Sequence, residues 1–175
     1  MKKYEIFDDV LPFSAQQRFF EYIYKSNYSI GWYDRLEKRQ YDYFHSPYSM
    51  IDVKKSNFFD SIINKKLFKL LKNQTLYKAT VNVSMPHETY FVHSHGGDSL
   101  IYYPNMTWEQ SWEGETFIYE DDGKTIHTCI PYTPNRVLWL KSNVAHSIRA
   151  PNNSAYDRRF TFACFFSDGN QTELQ

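Results

Sequence analysis

The residues with chemistry to offer gather in two stretches. One is Phe91-Val92-His93-Ser94-His95-Gly96-Gly97-Asp98, and the other, further on, is Val144-Ala145-His146-Ser147. Residues 91–95 read as a short strand of aromatic and β-branched character, ended by the glycine pair. Alternation along a strand puts His93 and His95 on the same face. Two imidazoles on one face, joined by a third from another strand, are the raw material of a metal site, because neutral imidazole is a strong ligand for divalent metals. Asp98, just past the glycines, brings a carboxylate near enough to join them. A single strand histidine is more often a satisfied core or surface residue. A His-x-His pair with a distant third histidine in an aromatic-rich sheet favours ligation. The remaining histidines, His45, His87 and His127, read as surface or loop residues without a partner role.

The elements that must position these groups are strands. Residues 75–85 alternate, with Tyr77, Ala79, Val81 and Val83 on one side and Lys78, Thr80, Asn82 and Ser84 on the other. Further strands are expected over 91–95, 99–103, 115–119, 125–130, 136–140, 145–148 and 159–166, with a hairpin turn at Asp121-Asp122-Gly123-Lys124. Ahead of them, residues 4–11 open with a strand and turn. Ser14 is the expected N-cap of a helix over 15–24 whose Phe19, Tyr22 and Ile23 share a face. A strand begins near 30–33, and residues 34–49 read as a long loop or irregular edge hairpin. The tyrosine-rich run 33–48 is placed to wall a substrate site. The clearest helix is 58–71, with Phe59, Ile62, Ile63, Leu67, Leu70 and Leu71 in one stripe. Short strands following helices predict an all-β core with flanking N-terminal helices, a jelly roll or double-stranded β-helix of the cupin kind. The expected organisation is one domain over 1–175, in which 1–74 support a core at 75–167.

Composition removes several classes of function. The 175 residues carry 20 basic and 20 acidic side chains, so no global charge points to nucleic acid or to an anionic membrane. No apolar run approaches the length of a membrane span. Cys129 and Cys164 are too few for a disulfide framework and read as free thiols. The start, Met1-Lys2-Lys3-Tyr4-Glu5, is not followed by an apolar signal region, so a cytoplasmic location is expected and sequons such as Asn82-Val83-Ser84 are accidental. No Ser-His-Asp arrangement, phosphate loop or cysteine-rich zinc site is present in the sequence.

Three stretches carry a family likeness. Ser99-Leu100-Ile101-Tyr102-Tyr103-Pro104-Asn105-Met106-Thr107-Trp108 is the first, and Trp112-Glu113-Gly114-Glu115-Thr116-Phe117 the second. The third is Pro134-Asn135-Arg136-Val137-Leu138-Trp139-Leu140, followed by His146 and by Arg159-Phe160-Thr161. In this order and spacing, residues 75–166 resemble the iron(II)/2-oxoglutarate-dependent oxygenases, in their prolyl-hydroxylase-like branch. The resemblance implies Fe(II) bound by His93 and the distal His146, with 2-oxoglutarate and O2 as co-substrates. Such enzymes complete the metal site with an aspartate, and that position is held here by His95. Three readings follow: His95 ligates, Asp98 swings in past the flexible Gly96-Gly97, or the site binds metal weakly. The shared strand face favours His95.

By the same resemblance, Arg159 offers the planar fork that suits the far carboxylate of the keto acid. Thr161 lies on the same strand face, Tyr103 matches a tyrosine of that pocket, and Asn82 is in reach of the metal-proximal end. Arg158 falls on the opposite face. The implied activity is hydroxylation of a peptide side chain, nucleobase or small molecule. The alternatives are a three-histidine dioxygenase without a keto acid, and a binding module that has lost turnover. Arg159, Thr161 and Tyr103 favour the first over the keto-acid-free enzyme, while the missing aspartate favours the module.

Overall fold

The computed structural model describes residues 2–32, 43–86, 88 and 91–168. In chain order the strands are β1 (Tyr4–Phe7), β2 (Ser29–Ile30), β3 (Phe44–Tyr48), β4 (Gln74–Ser84), β5 (Asp98–Tyr103), β6 (Thr116–Tyr119), β7 (Ile126–Ile130), β8 (Arg136–Leu140), β9 (His146–Ile148) and β10 (Arg159–Asp168). The helices are α1 (Phe13–Tyr24), α2 (Met50–Ser56) and α3 (Lys65–Leu71). A seven-stranded sheet, in the order β1-β8-β5-β10-β4-β3-β2, faces a three-stranded sheet, β7-β6-β9, and every pairing is antiparallel. This is the expected double-stranded β-helix with helices outside it.

The two faces of the large sheet explain why its central strands do not alternate in polarity. On one face, Leu100 and Tyr102 of β5 and Phe160, Phe162, Cys164 and Phe166 of β10 pack with Phe19 and Ile23 of α1, Phe58 and Leu67. On the other, Ile101 and Tyr103 of β5 and Leu138 and Leu140 of β8 meet Ile118, Ile130 and Tyr132. A strand covered on both sides reads as a continuous apolar run, as in Phe160-Thr161-Phe162-Ala163-Cys164-Phe165-Phe166. The polar exceptions on its inner face, Arg159 and Thr161, are buried as well. Among the described residues no helix is long and apolar enough to cross a membrane.

Several local expectations are corrected. The helix predicted over 58–71 is broken: Phe59–Ser61 form a 3-10 turn, and α3 starts at Lys65. Tertiary bonds make the break, for the Ile63 N–H donates to Val10 O, and Asn64 Oδ1 accepts from the N–H groups of Lys66 and Leu67. Ser14 lies inside the first turn of α1, whose N-cap is Pro12; its carbonyl accepts from Ala15 and Gln16. The predicted loop at 34–49 contains β3, which pairs with β4 in the sheet, while 33–42 lie outside the described residues. α2, which was not expected, follows a capping box in which Ser49 and Asp52 exchange bonds with each other's backbone. The signal Ser-x-x-Asp was there to read. A bulge opposite Phe165/Phe166 also turns Tyr77 to an exposed position, away from Ala79, Val81 and Val83.

Candidate metal centre

β9 brings the distal histidine to the pair. His93 and His146 form an isolated antiparallel bridge, each donating its backbone N–H to the other's carbonyl, at 3.0 and 2.9 Å. The expected strand over 91–95 is therefore an extended arm with a single bridge pair, whose ladder stops there. Cross-strand partners share a face, so the rings meet. Their centroids lie 4.4 Å apart for His93–His146, 5.1 Å for His93–His95 and 5.3 Å for His95–His146. The ligand atoms of all three histidines lie within 4.8 Å of one another.

Two of the imidazoles have one ring nitrogen engaged by a backbone carbonyl. His146 is buried, and its Nδ1–H donates to Val144 O at 2.9 Å, which leaves Nε2 with its lone pair. Burial pushes its pKa down to about 4, so it stays neutral at physiological pH. His93 Nδ1 lies 3.2 Å from Phe91 O, the same arrangement. These are the orienting second bonds that a metal-bound histidine ordinarily makes. Asp98 does not join the cluster. Its carboxylate accepts from Trp139 Nε1 at 3.1 Å, Lys141 Nζ at 2.8 Å and Ser142 N–H at 2.9 Å.

A buried cation lies along the same inner face. Arg159, fully buried, donates from Nε to Gly114 O at 2.6 Å and from Nη2 to Thr116 Oγ1 at 3.2 Å. Its guanidinium carbon sits 5.5 Å from the Tyr103 ring and 5.0 Å from the Tyr132 ring, and those rings stack at 4.6 Å. Tyr103 also hydrogen-bonds Thr116 through its hydroxyl, at 2.8 Å. Gly114 has a φ of +89°, which favours glycine, and a Cβ there would crowd Arg159 Cδ at 3.2 Å. Arg159 Nη1 is buried with no partner among the described residues. An unmet charged donor of this kind is costly and asks for an anionic acceptor.

A cleft beside the histidines is lined by Asn82, Ile101, Ile148 and Thr161, with the three histidines along its wall, and Arg159 lies outside that lining. Thr161 and Asn82 are cross-strand partners. Tyr103 lies beneath the guanidinium, outside that lining. His45 departs from its expected surface position: on β3 it pairs opposite Asn82 and is buried in the same cleft, beside Trp32 and Tyr43. The register of β3, which no local pattern reveals, puts it there. His127 is a surface residue paired with Glu120, and His87 lies outside the described residues. Gly114, Thr116 and Tyr132 were not picked out from the sequence. The first two sit inside the Trp-x-Gly-Glu-Thr stretch, and Tyr132 carried no signal.

No protein-family model and no curated protein sequence matches the chain. Its fold is that of the 2-oxoglutarate/Fe(II) oxygenases. An oxidoreductase of that family from Burkholderia pseudomallei superposes with a TM-score of 0.71 at 9% identity, covering 99% of this chain and 89% of its own. A prolyl hydroxylase from Trichoplax adhaerens, in complex with a hypoxia inducible factor oxygen degradation domain peptide, gives 0.68 at 14% identity, covering 95% and 84%. HygX from Streptomyces hygroscopicus, with nickel and 2-oxoglutarate bound, gives 0.70 at 7% identity, covering 99% and 85%. At such identities the likeness is one of fold.

Proposed function

We propose that this chain is an Fe(II)/2-oxoglutarate-dependent hydroxylase whose metal is held by His93, His95 and His146. The observation that carries the reading is the buried Nη1 of Arg159, without a partner among the described residues, beside a cluster of three histidines that could hold a metal. His146 and Ile148 share a face of β9, and Ile148 pairs opposite Thr116, which Arg159 touches. The strand position next to His146 on that face thus lies opposite the residue that holds the guanidinium. A short keto diacid would bind with its keto-acid end on the metal and its far carboxylate on Arg159.

Each residue then has a task. Arg159, pinned by Gly114 and Thr116, presents Nη1 to the far carboxylate. Thr161 adds a hydroxyl donor, Tyr103 backs the guanidinium, and Asn82 lies nearer the metal end. Ile101 and Ile148 exclude water from the cleft. When bound, the metal and keto acid supply the oxidation by which R–H, 2-oxoglutarate and O2 become R–OH, succinate and CO2. Three neutral imidazoles leave the double charge of Fe(II) to be balanced by the keto acid. That makes the diacid more, not less, welcome where the aspartate is absent.

Adding Fe(II) and 2-oxoglutarate without oxygen, then admitting air, tests this. A visible charge-transfer band followed by succinate is expected. Metal binding without the band would point to a three-histidine centre that dispenses with the keto acid. A band without succinate would leave a binding module.

A further inference from the structure

No carboxylate stands nearer the histidine pair in the chain than Asp98, and its placement in the fold gives it a different task. The turn 141–144 touches the arm of His95 on one side and leads into His146 on the other. Its Val144 N–H donates to Lys141 O at 3.2 Å, and its Val144 O receives the His146 Nδ1–H. Asn143 N–H donates to His95 O at 2.8 Å, and Ser142 Oγ donates to Gly96 O at 2.9 Å. Asp98 is the joint between these pieces: Oδ1 takes the Ser142 N–H, and Oδ2 takes Lys141 Nζ and Trp139 Nε1. It is 7% exposed, and Gly97 beside it leaves no slack, since a Cβ there would stand 2.1 Å from Phe166 O.

We propose that Asp98 is a positioning residue for the metal centre, which fixes the His95 arm against the His146 turn without touching the metal. The inference rests on the metal-centre reading above. The histidine arm makes one bridge pair with β9 in place of a ladder, and the joint at its far end holds the backbone of His95 through the turn that Asp98 fixes. Outer groups that orient ligands ordinarily change metal affinity about 10- to 100-fold. Loss of affinity on replacing Asp98 is therefore no proof of ligation, and the spectrum of the bound metal must be read beside it.

The test is a titration of Co(II), alone, into the metal-free full chain, read by calorimetry and by the visible spectrum of the bound ion. Asp98→Asn is expected to bind about 10- to 100-fold more weakly, with the bound spectrum of the wild type. Lys141→Met, which removes the ion-pair partner on the side away from the histidines, is expected to shift affinity in the same direction. Ser49→Ala, which loosens α2 elsewhere in the fold, should keep wild-type affinity, separating positioning from general loss of stability. Unchanged affinity in Asp98→Asn overturns the proposal, and so does a changed Co(II) spectrum, which would make Asp98 a ligand. Should Asp98→Asn fail to fold, Lys141→Met decides: weaker binding supports the joint, and unchanged binding overturns it. Absence of Co(II) binding by the wild type would instead overturn the metal-centre reading itself.

Discussion

Arg159 and His146 put opposite demands on their surroundings. The guanidinium is charged and buried, with two of its nitrogens satisfied by Gly114 and Thr116 and one left without a partner among the described residues. Arg159→Lys keeps the charge but loses the fork and much of the stacking on Tyr103 and Tyr132. It should weaken 2-oxoglutarate binding to the metal-loaded protein at least about tenfold while the protein remains folded, as read by titration calorimetry. His146 is held neutral instead. Its folded pKa lies near 4, below the ordinary 6.5. Above pH 6.5 neither state takes the proton and stability is complete. As pH falls towards 4 the unfolded chain binds a proton that the folded chain refuses, so stability is lost across that window. The loss amounts to roughly 3 kcal/mol. Urea denaturation in the presence of a chelator should show it, and His146→Asn should flatten the slope.

At the scale of elements, helix starts distinguish pattern from structure. Ser49 caps α2 in a reciprocal box with Asp52, whereas Ser14 sits within α1 behind a Pro12 cap. Ser49→Ala should therefore cost about 1 kcal/mol. Ser14→Ala should change stability by less than about 0.5 kcal/mol, as surface substitutions commonly do. Thermal melts of the two variants decide. The strands of the core were legible because short runs of β-branched and aromatic residues bounded by turn signals are a local property, as in Leu100-Ile101-Tyr102-Tyr103 ahead of Pro104-Asn105. The break in the predicted helix at 58–71 was not, because the bond from Ile63 to Val10 joins segments far apart in the chain.

For the whole molecule, the small sheet reaches the histidine arm through the bridge between His93 and His146. A metal held by all three histidines would cross-link that weak seam. Saturating metal at 100 times its dissociation constant should stabilise the fold by about 2.7 kcal/mol, raising Tm, and a chelator should reverse the shift.

The sequence by itself determined which residues could carry the chemistry. His93 and His95, two apart on extended backbone, had to project together, and Arg159 had to share a strand face with Thr161, because alternation depends on the chain's own neighbours and on nothing distant. Tertiary structure decided what stood across from them. It buried His45 opposite Asn82, cradled Arg159 on Gly114 and Thr116, and gave Asp98 to Trp139, Lys141 and Ser142. Such partners are set by strand pairing and register, and register is fixed by the burial of whole faces, which no short stretch of residues contains.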